Sequence, residues 1–135
     1  MIKKVVSLLC AVVLSTSFAV GNVASAAVIL PDSPAYSYTH ECSSTLSISG
    51  TTATCKSSVT GYYNETTKIV IVQTLQKKNS SDNWDDICSW SDTIYSFQGS
   101  LTNTKTSLSS GTYRLKTVAT VYAGTANETI TKYSK

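Results

Sequence analysis

The sequence is poor in the residues on which most catalytic chemistry rests. It contains one histidine, His40. Cys42 lies two positions away, but a thiol nucleophile takes its base from elsewhere in the fold and also needs an oxyanion hole. A thiol hydrolase is therefore not expected, and His40 reads as a solvated linker residue. His40, Cys42, Cys55 and Cys88 lack the closely spaced ligand pairs of zinc sites. Asp82, Asp85 and Asp86 cluster around Trp84 without the alternating oxygens and glycine of a calcium loop. Acids confined to one loop of a small domain also leave little cleft for glycoside hydrolysis. The expectation is a solvated hairpin end, with no catalytic residue, cofactor or metal.

Proline is nearly absent, with Pro31 and Pro34 the only two. That argues against a mucin-like stalk, although about a third of the residues after position 26 are Ser or Thr. Those hydroxyl residues alternate with Val, Ile, Leu and Tyr, as solvent-facing strand positions do. Charge of either sign is also sparse. The chain carries a formal +3, but Lys3 and Lys4 lie at its start, and from Ala27 onward nine basic residues face eight acidic ones, a net of +1. No basic cluster remains, so the electrostatic term that nucleic-acid binding needs is missing and no nucleic-acid partner is expected.

The first 26 residues carry a charged start at Lys3 and Lys4, an apolar run from Val5 to Val13, and small residues at Ala24-Ser25-Ala26. That order is the pattern of a secretory signal, cleaved so that the chain begins near Ala27 and has no membrane attachment afterwards. The alternative is an uncleaved anchor using the apolar stretch from Val5 to Val28, which Gly21 and Asn22 interrupt. Residues 27–41 read as a linker or a short edge strand, and residues 42–135 as one domain.

Helical periodicity is absent, while turn signals recur about every ten residues, as in an antiparallel sandwich or barrel. Strands are expected near Ser43 to Ser49, Thr52 to Thr60, Thr66 to Lys77, Trp84 to Phe97, Ser100 to Ser107, Thr112 to Tyr122 and Asn127 to Tyr133. The two-residue period turns Leu46 and Ile48 inward on the first, Ala53, Cys55 and Val59 on the second, Ile69, Ile71 and Leu75 on the third, and Tyr113, Leu115, Ala119 and Val121 on the sixth. Trp84, Ile87 and Trp90 are three apart, which calls for a bulge near Asp85 or Asp86. The fold class is all-β, a single antiparallel β-sandwich of about seven strands.

Gly111 to Ala119, with the sequence GTYRLKTVA, resembles an immunoglobulin-like or fibronectin type III-like sandwich. The resemblance implies a tyrosine corner at Tyr113, its hydroxyl bonded to nearby backbone. Leu115 stands where an antibody-type domain has its second cysteine, so the usual bridge between sheets is not implied. Leu46 to Cys55 (LSISGTTATC), Ser57 to Tyr62 (SSVTGY), Leu75 to Lys78 (LQKK) and Tyr113 to Lys116 (YRLK) are similar to small secreted β-sandwich proteins of Gram-positive gut bacteria. That likeness implies a fold and an extracellular location, offers no catalytic residues, and implies a polar residue at the place of Cys88.

Three cysteines remain after processing, so one internal disulfide at most can form. Cys42 and Cys55 flank the turn at Ser49-Gly50 on neighbouring strands and are the favoured pair; Cys55 with Cys88, or no bridge, are the alternatives. A leftover Cys88 would be available for a covalent dimer. Strand parity also sends Lys68, Val70, Val72, Arg114, Lys116, Val118 and Tyr122 outward, which predicts an exposed apolar stripe of Val70, Val72, Val118 and Tyr122 edged by three cations. The expected function is a secreted, non-catalytic module binding an extracellular protein or glycan, with Tyr36, Tyr38, Tyr62, Tyr63, Tyr95 and Tyr133 as further contact material. A secreted bacteriocin-like effector or inhibitor is the alternative from another class.

Overall fold

The computed structural model describes residues 36–135, so the expected signal at 1–26 and most of the expected linker lie outside the described residues. Alternating apolar and hydroxyl residues form seven strands: β1 (Thr39–Ser49), β2 (Thr52–Gly61), β3 (Lys68–Lys78), β4 (Trp84–Ile94), β5 (Gln98–Lys105), β6 (Tyr113–Ala123) and β7 (Ala126–Tyr133). They make two antiparallel sheets, ordered β1-β2-β5 and β4-β3-β6-β7. The all-β antiparallel sandwich therefore holds, with seven strands where seven runs were expected. β1 begins at Thr39, four residues before the expected start, so His40 lies on a strand and not in a linker.

Two of the hairpins turn on glycine. Ser49 pairs with Thr52 and Ala123 with Ala126, leaving two-residue loops whose first positions, Gly50 and Gly124, have φ of 61° and 67°. That left-handed backbone suits glycine and the tight hairpin loops with glycine at their first position.

The irregular fourth strand does contain a bulge. Leu75 pairs with Cys88 but Gln76 with Asp86, so Ile87 has no partner. The extra residue lets Cys88 and Trp90 turn inward while Ile87 is left exposed. Trp84, opposite Lys78, stays on the outer face, so only Trp90 of the three spaced residues reaches the core.

The core has two halves. Ala53, Cys55, Leu75, Leu108 and Leu115 fill one, and Val59, Ile69, Ile71, Ala119 and Val121 the other. Full burial of a side chain such as Ile71 or Leu115 contributes about 1.5–3 kcal/mol. Between the halves lies a buried polar belt. Gln73 Nε2 donates to Ser57 Oγ at 2.8 Å and to the Leu101 carbonyl at 2.9 Å, and Asn103 Nδ2 donates to Gln73 Oε1 at 2.9 Å. Thr117 Oγ1 donates to Ser44 Oγ at 2.8 Å, and Ser44 Oγ donates to the Leu115 carbonyl at 3.1 Å. The Thr117 proton is thereby committed, so in the 2.6 Å contact between Ser57 and Thr117 the donor is Ser57. The result is one directed chain linking five strands, β1, β2, β3, β5 and β6, across both sheets.

Candidate functional site

The buried residues Ile69, Ile71, Gln73 and Leu75 of β3 leave Lys68, Val70, Val72, Thr74 and Gln76 on the outer face of the four-stranded sheet. The β3–β6 register then assembles the face. Val72 lies opposite Val118, Val70 opposite Thr120, Lys68 opposite Tyr122, Thr74 opposite Lys116 and Gln76 opposite Arg114. All seven residues expected on this face are brought together there. The apolar stripe, however, is half-buried where it was expected to be exposed, because β4 and β7 flank the two central strands. Ser91 and Thr131 sit on either side of the valine pair, and Thr93 and Thr129 on either side of Val70 and Thr120. Cross-strand hydroxyl bonds join Thr74 to Ser89 at 2.7 Å and Thr120 to Thr129 at 3.1 Å.

Cations and rings occupy both ends of the face. Lys68 Nζ lies 4.4 Å from the centre of the Tyr122 ring. At the other end the Arg114 guanidinium lies 4.2 Å from the Trp84 ring and 4.2 Å from the Tyr133 ring. Trp84 comes from the β4 side and Tyr133 from the β7 side, so the guanidinium is held from both directions. Arg114 Nε donates to Gln76 Oε1 at 2.8 Å, and Gln76 Nε2 donates to Asp86 Oδ1 at 2.8 Å. Among the described residues the only ion pair joins Lys78 and Asp82, at 3.4 Å. Lys68, Arg114 and Lys116 thus have no acidic partner there. Sequence reasoning missed Trp84, Gln76 and Asp86 as part of this face, and named Tyr133 as contact material without its place beside Arg114, because that grouping depends on the bulge and the register of the outer strands.

The cysteines do not pair. Cys42 lies opposite Val59 and Cys55 opposite Leu46, so the favoured partners stand four positions apart along the ladder, about 13 Å. Strand adjacency was correct, but the turn at Gly50 sets a register that separates them. No Cα of β2 comes within 8 Å of one in β4. That leaves Cys55 and Cys88 outside the roughly 4.4–6.8 Å that a disulfide spans. All three are free thiols. Burial, assisted by the neighbouring Cys88, pushes Cys55 up to about 11. Burial also raises Cys42 against the opposing charge of Lys132, and Cys88 against that of Lys105. Protonated thiols are weak nucleophiles.

His40 and Cys42 are not combined into a site. His40 is exposed with its ring edge-on to Tyr62, 6.0 Å between centres, whereas Cys42 packs against the Val59 half of the core. The three aspartates are likewise divided: Asp82 meets Lys78, Asp85 accepts from Asn79 Nδ2 at 3.0 Å, and Asp86 accepts from Gln76. Among the described residues no three His, Cys, Asp or Glu gather as a metal site would require.

A second surface lies at the end of the sandwich near the β2–β3 and β4–β5 loops, where the Gly61 amide bonds the Phe97 carbonyl at 2.6 Å. Tyr63 packs edge-on against Phe97 at 5.2 Å, and Tyr62, Tyr63 and Tyr95 are exposed. Tyr36 and Tyr38, expected to be contact material, are half-buried. The Glu128 carboxylate accepts the amides of Ser37 and Tyr38 at 2.9 Å each and ties this segment to β7.

No protein-family model matches this sequence, and no curated protein does. Among solved structures the chain has a likeness to Spo0M, a sporulation control protein from Bacillus subtilis, at 12% identity and a TM-score of 0.36. The match covers 73% of this chain and 49% of that one, so the chain spans about half the length of its structural neighbour.

Proposed function

We propose that this protein is a secreted, non-catalytic binding module that meets an extracellular protein or glycan through the outer face of the β4-β3-β6-β7 sheet. One observation carries the proposal: Val72 and Val118 stand directly opposite each other in a hydroxyl-lined face whose ends hold cations without acidic partners. An apolar strip with a polar rim on a small domain marks an interaction surface. Export is supported by Lys3, Lys4 and Ala24-Ser25-Ala26. An immunoglobulin-like relationship is supported by the strand order and by Tyr113, whose hydroxyl donates to the Ser109 carbonyl at 2.7 Å, four residues upstream.

The test is a pull-down of the exported chain against cell-wall glycans and mucins, repeated with Val72→Lys and Val118→Lys. Both variants should keep the thermal midpoint and lose retention. Unfolding of both would make the valines core residues, and unchanged retention would place binding on another surface.

A further inference from the structure

We propose that Arg114 is an oxyanion receptor on this face and that the module's ligand is an acidic polysaccharide. The proposal rests on the outer face being the binding surface and names what that surface takes.

An arginine side chain on a sheet surface ordinarily samples many rotamers. Here three contacts restrain it: Trp84, Tyr133 and the hydrogen bond from Nε to Gln76. Gln76 is itself buried and fixed by Asp86. With Nε committed, the two terminal amino groups remain, and among the described residues no protein acceptor takes them. A guanidinium fixed in this way presents a planar fork matched to the two oxygens of an oxyanion. Were the role of Arg114 only to staple β6 to its neighbours, Asp86 would be its natural partner. Asp86 bonds the Gln76 amide instead, and the charge is left unsatisfied.

The rest of the face favours a sugar chain over a folded partner. Lys116 lies two residues along β6 on the same face, and Lys68 lies at the far end beside Tyr122. From Arg114 to Tyr122 is eight residues, about 26 Å along the strand. Between these ends the valines are half-buried among Thr74, Ser89, Ser91, Thr120, Thr129 and Thr131. A long strip of hydroxyls with stacking rings at its ends suits an extended chain of hydroxylated rings, and the unpaired cations suit acid groups repeated along it.

The experiment is titration calorimetry of the exported chain with polygalacturonate, neutral dextran and polyglutamate, each at low and moderate salt. Polygalacturonate should bind and dextran should not. Arg114→Lys, which keeps the charge and the stem but loses the fork, should weaken binding about tenfold. Lys56→Gln, which removes one charge from the exposed face of the other sheet, should change it less than about twofold. Weakening by Lys56→Gln that matches or exceeds that by Arg114→Lys would show that charge, and not the guanidinium fork, sets the affinity, and would overturn the proposal. Tighter binding of polyglutamate would replace the sugar with an acidic polypeptide. If no acidic polysaccharide binds while Val72→Lys still abolishes retention of another ligand, the proposal fails and the binding face stands. If Val72→Lys has no effect either, both fail.

Discussion

Gln73 of β3 and Ser57 of β2, both fully buried, meet across the sandwich with Nε2 and Oγ 2.8 Å apart. They lie at the level where Leu75, Leu115 and Cys55 give way to Ile71, Ala119 and Val59, so the polar belt divides the core into its two halves. A hydrogen bond of this kind contributes little net energy when made, but its loss strands buried groups. Gln73→Leu would leave the Asn103 amide and the Leu101 carbonyl without this partner. The variant should lose about 2–4 kcal/mol in urea unfolding. Wild-type stability would mean that the belt is not closed to water.

Tyr113 couples packing to a hydrogen bond. Its ring packs against the Leu115 half of the core, Lys77 Nζ lies 5.7 Å from its centre, and its hydroxyl donates to Ser109. Tyr113→Phe should destabilise by about 1 kcal/mol, and Tyr113→Ala by several through the cavity left behind. Equal and negligible losses in denaturant titrations would remove the corner.

The thiols supply a pH dependence. Cys55 has its ordinary value of 9.0 when unfolded and about 11 when folded. Below pH 9 both states hold the proton and its contribution is complete; above 9 the unfolded state releases the proton first, so stability falls until about 11. Tyrosine and lysine titrate in the same range, so the useful quantity is the difference between the native chain and Cys55→Ala. That difference in urea midpoint should shrink between pH 9 and 11. A constant difference would mean that the thiol is not desolvated.

Strand number and inner-face parity could be read from the chain because the two-residue period is local: Ile69, Ile71 and Leu75 face inward wherever β3 pairs. Register is not local. Cys42 and Cys55 lie on adjacent strands as expected, yet one turn sets Cys42 against Val59. Ser57, Gln73 and Thr117 have inward parity in the sequence, but only the facing of two sheets turns three polar residues into one chain of bonds. The outer face was anticipated on its two central strands. The pairing of Trp84 and Tyr133 with Arg114 was not legible, because they reach it from strands whose placement depends on the Ile87 bulge and on the β6–β7 register.

The most direct measurement is amide chemical-shift mapping of the isotopically labelled exported chain with the glycan or protein that it retains. The account predicts the largest shifts at Lys68, Val70, Val72, Arg114, Lys116, Val118 and Tyr122, together with the indole N–H of Trp84. Shifts confined to β1, β2 and β5, or to Tyr62, Tyr63, Tyr95 and Phe97 at the end of the sandwich, would contradict it.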